Sequence, residues 1–329
     1  MAEVATGIPV VAMGLGHIGR AIARAALERP ELRLVAAVDP AHAGQRLDEV
    51  LGAPAPALEV GGDAAEAFAL AADGVVLHAT GSSFDAVRPE LEAAARAGLS
   101  VVSTCEQLAW PWNHDGADAL DRLCEANEVA IVGVGVNPGF VLDRLPAFLC
   151  QATGPVRRVS ATRVQDAARR RPALQRKVGA GLDEDAFYAA WERGELGHVG
   201  LAESALLVAA GCGFELDPEV EEEIEAVVAE RDVDAAVPVK AGAVAGIRQV
   251  LRGFTDGVER VRLELVIASG VEDERDEIEI DARPPVKALL RGGLPGDLAT
   301  AWAVVNAAPA VTMLPGGLST VLDLPSGRL

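Results

Sequence analysis

One carboxylate in this sequence stands where chemistry is expected. Glu106 follows the apolar run Leu99-Ser100-Val101-Val102-Ser103 and precedes Leu108, Trp110 and Trp112. A carboxyl group just past a buried strand, among apolar and aromatic neighbours, has its pKa pushed upward toward the range of a general base. The same glutamate can also cap the next helix or face solvent, and spacing alone does not choose. Trp110 and Trp112, with Phe140 further on, are candidate walls for an apolar pocket or simply core.

A second feature is Gly14-Leu15-Gly16-His17-Ile18-Gly19. It is a G-x-G-x-x-G turn between an apolar run (residues 10–13) and a helical repeat of Ile18, Ile22, Ala25 and Ala26. Gly14 permits the sharp turn, Gly16 has no side chain to block a pyrophosphate, and Gly19 lets the helix pack closely. The free N–H groups of the helix N-terminus, around His17 and Ile18, then attract phosphate. Asp39 ends the next apolar run about 20 residues past the turn, where a ribose-binding acid belongs. There a carboxylate accepts hydrogen bonds from the ribose hydroxyls of NAD and repels the 2′-phosphate of NADP. Because Pro40 follows, Asp39 also reads as a cap for the next turn, and Gln45 and Arg46 keep NADP open.

The elements that position these residues alternate. Strands are expected over 9–13, 32–38, 74–79, 99–103 and 129–134, with helices over 18–28, 63–70, 84–97 and 113–127. This is an α/β pattern, a doubly wound parallel sheet of Rossmann type, with ligands beyond the C-terminal ends of the strands. The turns holding Gly14, Asp39, Thr80-Gly81-Ser82, Glu106 and Asn137 should therefore converge. Asn137 reads either as a partner for the nicotinamide carboxamide or as a plain turn residue.

Past Pro155 the texture changes. Residues 156–164 alternate as a half-buried strand, 165–172 form a polar loop, and helices are expected over 183–193, 201–211 and 218–230. The last carries Glu219, Glu221, Glu222, Glu223, Glu225 and Glu230, a solvated charged face. Strands follow over 244–250, 258–269 and 276–281. An antiparallel sheet with helices on one face makes this a second, α+β domain. An apolar helix over 296–308, capped by Asp297 and ended near Pro309, returns to the first domain. The expected division is a dinucleotide-binding domain of residues 1–140 completed by 296–329, and an α+β substrate and dimerisation domain of residues 141–295.

Composition narrows the function. The 329 residues carry 29 basic and 49 acidic side chains, a formal net charge of −20. Such a surface repels nucleic acid and anionic lipid, and Arg169-Arg170-Arg171 stands alone as a basic run. Cys105, Cys124, Cys150 and Cys212 make no C-x-x-C pair, and no histidine lies at metal-ligand spacing, so no metal is expected. The opening residues MAEVATG lack the features of a signal peptide, and no apolar run approaches the roughly 18 residues of a membrane span. A cytoplasmic protein acting on a small molecule is expected.

Several segments carry a resemblance. They are STCEQLAWPW at 103–112, NPGF at 137–140, RVQDAARRRPALQRKVGAG at 163–181, GHVGLAES at 197–204 and GDLATAWAVVNAAPAV at 296–311. Together they resemble the 2,4-diaminopentanoate dehydrogenases and the related native NAD(P)-dependent amine dehydrogenases. More distantly, the order of parts is similar to dihydrodipicolinate reductase. The resemblance implies interconversion of an amine with a ketone plus ammonia, and it places the family's catalytic glutamate on Glu106. It puts Arg163, Gln165 and Asp166 on the substrate-side segment, Asp166 facing a cationic amine and Arg163 a substrate carboxylate. A structural polar network is the other reading of these three. The chain departs from many relatives in having Leu294-Pro295 where they carry a histidine. Two alternatives stay open: a ring-imine reductase like dihydrodipicolinate reductase, although its His-rich segment is missing, and a dinucleotide sensor without turnover.

Overall fold

The computed structural model describes residues 7–327. The reading of the first residues as leaderless rests on 1–6 and lies outside them, as do 328–329. The chain divides into two compact units, Met1–Phe140 with Pro295–Leu329, and Val141–Leu294.

The first unit opens with β1 (Ile8–Met13), α1 (His17–Leu27) and β2 (Leu32–Val38). Then come α2 (Leu47–Leu51), α3 (Ala64–Phe68), β3 (Val75–His78) and α4 (Phe84–Arg96). The stretch closes with β4 (Ser100–Ser103), α5 (Ala117–Ala126) and β5 (Ala130–Gly133). Every residue of β3, β4 and β5 is buried, as strands covered on both faces must be. In contrast, α1 buries only one stripe, Gly19, Ile22, Ala23, Ala25 and Ala26. Helix α5 starts later than expected, because Pro111–Asn113 forms its own 3-10 turn and Gly116 takes a left-handed backbone.

The second unit runs α6 (Arg144–Cys150), β6 (Arg158–Asp166), α7 (Pro172–Lys177), α8 (Glu184–Glu192) and α9 (Leu201–Cys212). It continues with β7 (Glu221–Val228), β8 (Val244–Thr255), β9 (Val258–Ala268), β10 (Arg275–Asp281) and β11 (Val286–Arg291). Its six-stranded sheet has the order β11-β10-β6-β9-β8-β7. The sheet is mixed rather than antiparallel throughout, because β6 and β9 run parallel. Along β9, Val261, Leu263 and Leu265 are fully buried and form its inward face.

Two expectations here are corrected. The acidic segment 218–230 is not a helix but contains strand β7. Alternate glutamates of a strand share a face, and they meet arginines across the ladder. Arg248 pairs with Glu225 at 2.8 Å, and Arg252 with Glu223 at 2.7 Å. Exposed pairs of this kind add little stability one by one, but together they answer the charge of the glutamates across the ladder, where the sequence suggested only a solvated helical face. Gln165 and Asp166, expected in a loop, belong to the buried end of β6.

The chain returns to the first unit with α10 (Gly296–Val311) and β12 (Gly317–Ser319). β12 pairs with β5 and completes a six-stranded, wholly parallel sheet of order β12-β5-β4-β3-β1-β2. Helix α10 passes through Pro309, since burial of Val304, Val305, Ala308 and Val311 holds it past the lost hydrogen bond. Its N-cap is Pro295 and not Asp297, which sits in the first turn and lies 3.1 Å from His17 Nε2. α10 is tied to the end of α1 by Arg29, 2% exposed, whose guanidinium donates to Asn306 Oδ1 at 2.5 Å.

Candidate active site

The turns singled out in the sequence leave neighbouring strands of one sheet. Main-chain hydrogen bonds carry the pairing past the strand ends. Gly14 N–H donates to Val38 O (2.8 Å), Ala79 N–H to Met13 O (2.8 Å), Thr104 N–H to His78 O (3.0 Å) and Val134 N–H to Ser103 O (2.7 Å). The glycine turn, Asp39, Thr80–Ser82, Glu106 and Asn137 therefore all lie at the C-terminal edge of the parallel sheet.

Within the glycine turn, Gly14 adopts φ +84°, and a Cβ there would lie 2.6 Å from Ala79 O. Gly19 is more confined still, since a Cβ there would lie 1.7 Å from Gly14 O, so it packs the helix on the turn itself. Gly16 is the opposite case: a Cβ would meet nothing within 4 Å. The helix's backbone ladder begins with Arg20 N–H donating to Gly16 O, so the N–H groups of His17, Ile18 and Gly19 precede it. Asp39 spans two jobs. Its Oδ2 accepts from Leu15 N–H at 2.6 Å and its Oδ1 caps the turn after Pro40 through Ala41 N–H at 2.9 Å.

Glu106 opens a 3-10 turn, Glu106–Ala109, and is half-buried while Cys105, Leu108 and Ala109 are buried. Gly133 on β5 makes room for this turn, since a Cβ there would lie 2.5 Å from Leu108 C. Gln107 fastens the turn to the loop after β3: its Oε1 accepts from Phe84 N–H at 2.7 Å and its N–H reaches Ser82 O at 3.5 Å. Among the described residues, nothing hydrogen-bonds or ion-pairs with the Glu106 carboxylate.

Beneath the turn lies a group that the sequence reading missed. His78, 1% exposed, places Nδ1 2.8 Å from Ser103 Oγ, and Nε2 2.8 Å from both Glu90 Oε2 and Thr80 Oγ1. Ser103 Oγ in turn accepts from Cys105 N–H at 3.1 Å, one residue before Glu106. The available signal was a histidine inside the apolar strand VVLH, because a buried imidazole needs partners. Burial opposes the charge of Glu90, but the hydrogen bonds from His78 and Thr80 outweigh it and hold its carboxyl below the usual value.

The remaining candidates in this unit are less tightly defined. Trp110 is half-buried and meets Trp112 edge-on at 5.2 Å, with Trp112 40% exposed. Phe140 is half-buried, Gly81 and Ser82 likewise, and Thr80 is exposed. Asn137 sits in a turn anchored by Val136 N–H, which donates to Thr300 Oγ1 of α10 at 3.3 Å.

In the second unit, Arg163, Gln165 and Asp166 are held in a polar network. Arg163 donates to Asp276 Oδ1 (2.6 Å) and to Leu294 O (2.6 Å). Gln165 Nε2 also donates to Leu294 O (3.0 Å), and its Oε1 accepts from Arg170 (2.9 Å). Asp166 Oδ1 accepts from Ala168 N–H (3.0 Å) and Gly270 N–H (2.9 Å). Arg163 is thus paired with Asp276 at 3% side-chain exposure, and all three side chains are hydrogen-bonded within this unit. Among the described residues no group of side chains is arranged to hold a metal, and no helix is long and apolar enough to cross a membrane.

Known proteins resemble this chain throughout its length. The model of the 2,4-diaminopentanoate dehydrogenase C-terminal domain family matches residues 140–328. The chain is 27% identical over 346 residues to the 2,4-diaminopentanoate dehydrogenase of Acetoanaerobium sticklandii, covering 98% of this chain and 94% of the relative. An amine dehydrogenase from Mycobacterium smegmatis shares its fold with a TM-score of 0.84 at 21% identity, over 98% of this chain and 97% of that one. A dipicolinate-bound dihydrodipicolinate reductase from Paenisporosarcina sp. TG-14 is a looser likeness, with a TM-score of 0.54 at 16% identity over 97% and 99%. The chain belongs to the 2,4-diaminopentanoate dehydrogenase family, and so to the NAD(P)-dependent oxidoreductases that act on amines.

Proposed function

We propose that this chain interconverts an amine or diamino acid with the corresponding ketone and ammonia, using NAD or NADP, with Glu106 as general base. The observation that carries the proposal is the Glu106 carboxylate. It is half-buried, left without a protein partner among the described residues, and tied through Gln107 to the loop after β3.

A nicotinamide dinucleotide fits the residues present. The open space over Gly16 leaves room for a pyrophosphate, and the leading N–H groups of α1 face no intrahelical acceptor. Asp39 stands beside the turn for the ribose, Thr80–Ser82 follow the adjacent strand, and Asn137 would take the carboxamide. When bound, the nicotinamide accepts or returns the hydride of the substrate carbon.

The chain's own residues handle protons and position. In the oxidative direction Glu106 takes a proton from the substrate ammonium, because only the neutral amine has the lone pair that drives hydride loss. Having released that proton to solvent, it takes another from the water that attacks the iminium carbon, and the carbinolamine so formed expels ammonia to leave the ketone. In reverse, the same carboxyl protonates the hydroxyl leaving the carbinolamine. Proton transfer of this kind contributes roughly 10²–10⁴-fold. Trp110 and Phe140 offer apolar surface for the amine's carbon chain, and holding that chain in place supplies much of the remaining acceleration. We include a homodimer in the proposal, since Val258 and Leu289 of the second unit's sheet are exposed.

The test is NAD(P)H formation at alkaline pH with a panel of primary amines and diamino acids. Turnover of at least one class is expected. Cofactor binding with no amine oxidised would favour a sensor, and reduction of a dihydropyridine acid instead would favour an imine reductase.

A further inference from the structure

Two cysteines of the second unit stand apart from the chemistry above. Cys150 ends α6 and Cys212 ends α9, sixty-two residues apart in sequence, and their sulfurs lie 3.0 Å from each other. That is hydrogen-bonding contact and roughly 1 Å longer than an S–S bond. The two helices are also joined at their other ends, where Ser204 Oγ donates to Asp143 Oδ2 at 2.7 Å. Each contact is about two helical turns from the other along both helices, so α6 and α9 run side by side in the same direction. The two sulfurs are already in contact.

We propose that Cys150 and Cys212 form an oxidisable dithiol, which a hydroperoxide converts to a disulfide that clamps α6 to α9. The thiolate of Cys150 attacks a peroxide oxygen. The O–O bond breaks, one proton is taken up, water leaves, and Cys150 becomes a sulfenic acid. The Cys212 sulfur then attacks the Cys150 sulfur and gives its proton to the departing hydroxyl, which leaves as a second water. Two thiols and hydrogen peroxide give one disulfide and two waters. Two electrons pass from the sulfur pair to the peroxide.

The environment orders these roles. The hydrogen bond with Cys212 holds the Cys150 thiol below the ordinary cysteine range against the opposing effect of burial. The same contact, with burial, pushes Cys212 above that range. In the proposal Cys150 is accordingly the attacking thiolate and Cys212 the resolving thiol, its sulfur already in contact at 3.0 Å. The other two cysteines are protected by comparison. Cys105 and Cys124 are 1% and 0% exposed against 8% for Cys150, and burial followed by the nearby Asp121 pushes Cys124 up to about 12.

The experiment treats the whole chain with equimolar hydrogen peroxide, followed by peptide mapping under non-reducing conditions. A linked pair of peptides carrying Cys150 and Cys212 is expected, two hydrogens lighter than the thiols, together with a higher unfolding temperature that dithiothreitol reverses. The Cys212→Ser chain should instead accumulate a Cys150 sulfenic acid that a dimedone probe traps, while Cys150→Ser leaves Cys212 as a thiol. Unlinked thiols or sulfinic acids in the parent, or equal trapping at Cys150 in the parent and in Cys212→Ser, would overturn the proposal. The parent's own map decides even if a variant folds poorly.

Discussion

Asp276 and Glu106 show how differently the two units treat a carboxylate. Asp276 is fully buried and both of its oxygens are engaged, one by the Arg163 guanidinium and the other by Leu294 N–H at 2.8 Å. Glu106 is only half-buried and carries no protein partner among the described residues. A buried charge is tolerated when paired, and the pair then resists change because each member strands the other if removed. Burial pulls the Arg163 pKa down, Asp276 pulls it back, and the net shift is downward. A carboxylate that keeps some contact with solvent avoids that bind and stays free to exchange a proton. The charged group in the firmer grip is architecture, and the one held loosely by a well-fastened turn is the candidate for chemistry.

The sharpest way to break this contrast is to neutralise each carboxylate in turn. Glu106→Gln keeps the side chain's shape and removes the base, so amine oxidation should fall roughly 10²–10⁴-fold with the unfolding midpoint unchanged. Parental turnover in the variant would end the general-base role. Asp276→Asn should do the reverse. It leaves a buried guanidinium without its counter-charge, which costs about 3–5 kcal/mol of stability in denaturant unfolding. Replacing Arg163 and Asp276 together by Leu should recover most of that loss. If Arg163→Lys instead raises KM for carboxylate-bearing amines and not for simple ones, Arg163 reaches the substrate after all.

The same contrast explains what could be read from the sequence. The parallel sheet was legible because β3, β4 and β5 are continuous apolar runs punctuated by glycine turns, a pattern local to each segment. β7 was not, because its glutamates make sense only beside Arg248 and Arg252, some 25 residues further on. β11 and β12 went unseen for a related reason: β12 is three residues long and is defined by its pairing with β5. Within the site, Gly14, Gly16 and Gly19 announce themselves by residue type, and Glu106 by its place after a strand. The fastening beneath it, His78 to Ser103 to the Cys105 N–H, joins β3 and β4 and could not be seen from either alone. Likewise Arg163 looked available until Asp276, 113 residues away, was found against it.

Two smaller tests sharpen the same division within the cofactor turn. A methyl group at Gly16 points into open space, so Gly16→Ala should fold normally. If a pyrophosphate sits there, the variant raises KM for the dinucleotide by roughly tenfold, about 1.4 kcal/mol. An unchanged KM would move the phosphate elsewhere. Asp39 combines both kinds of role. Asp39→Ala removes the cap on the Pro40 turn at a cost of about 1 kcal/mol, and it should also narrow any preference for NAD over NADP. A loss of stability with no change in cofactor preference would leave Asp39 as a cap alone.

The smallest effect is expected at Glu90, which stands between the two extremes: partly exposed, yet partnered by His78 and Thr80. Its folded pKa lies below the free value. The contribution of its charge to stability is therefore complete above the unfolded carboxylate's pKa, about 4.3. It is lost as pH falls through the lowered folded value, since only then does the folded state bind the proton that the unfolded state already holds. The stability gap between the parent and Glu90→Gln should accordingly be widest near neutrality and shrink in acid, with added salt narrowing it because Glu90 is partly exposed. Urea unfolding of both chains at about pH 6 and about pH 3 reads this directly. A gap indifferent to pH would mean that Glu90 serves His78 as a hydrogen-bond acceptor and not as a charge. The fastening under Glu106 would then be neutral throughout.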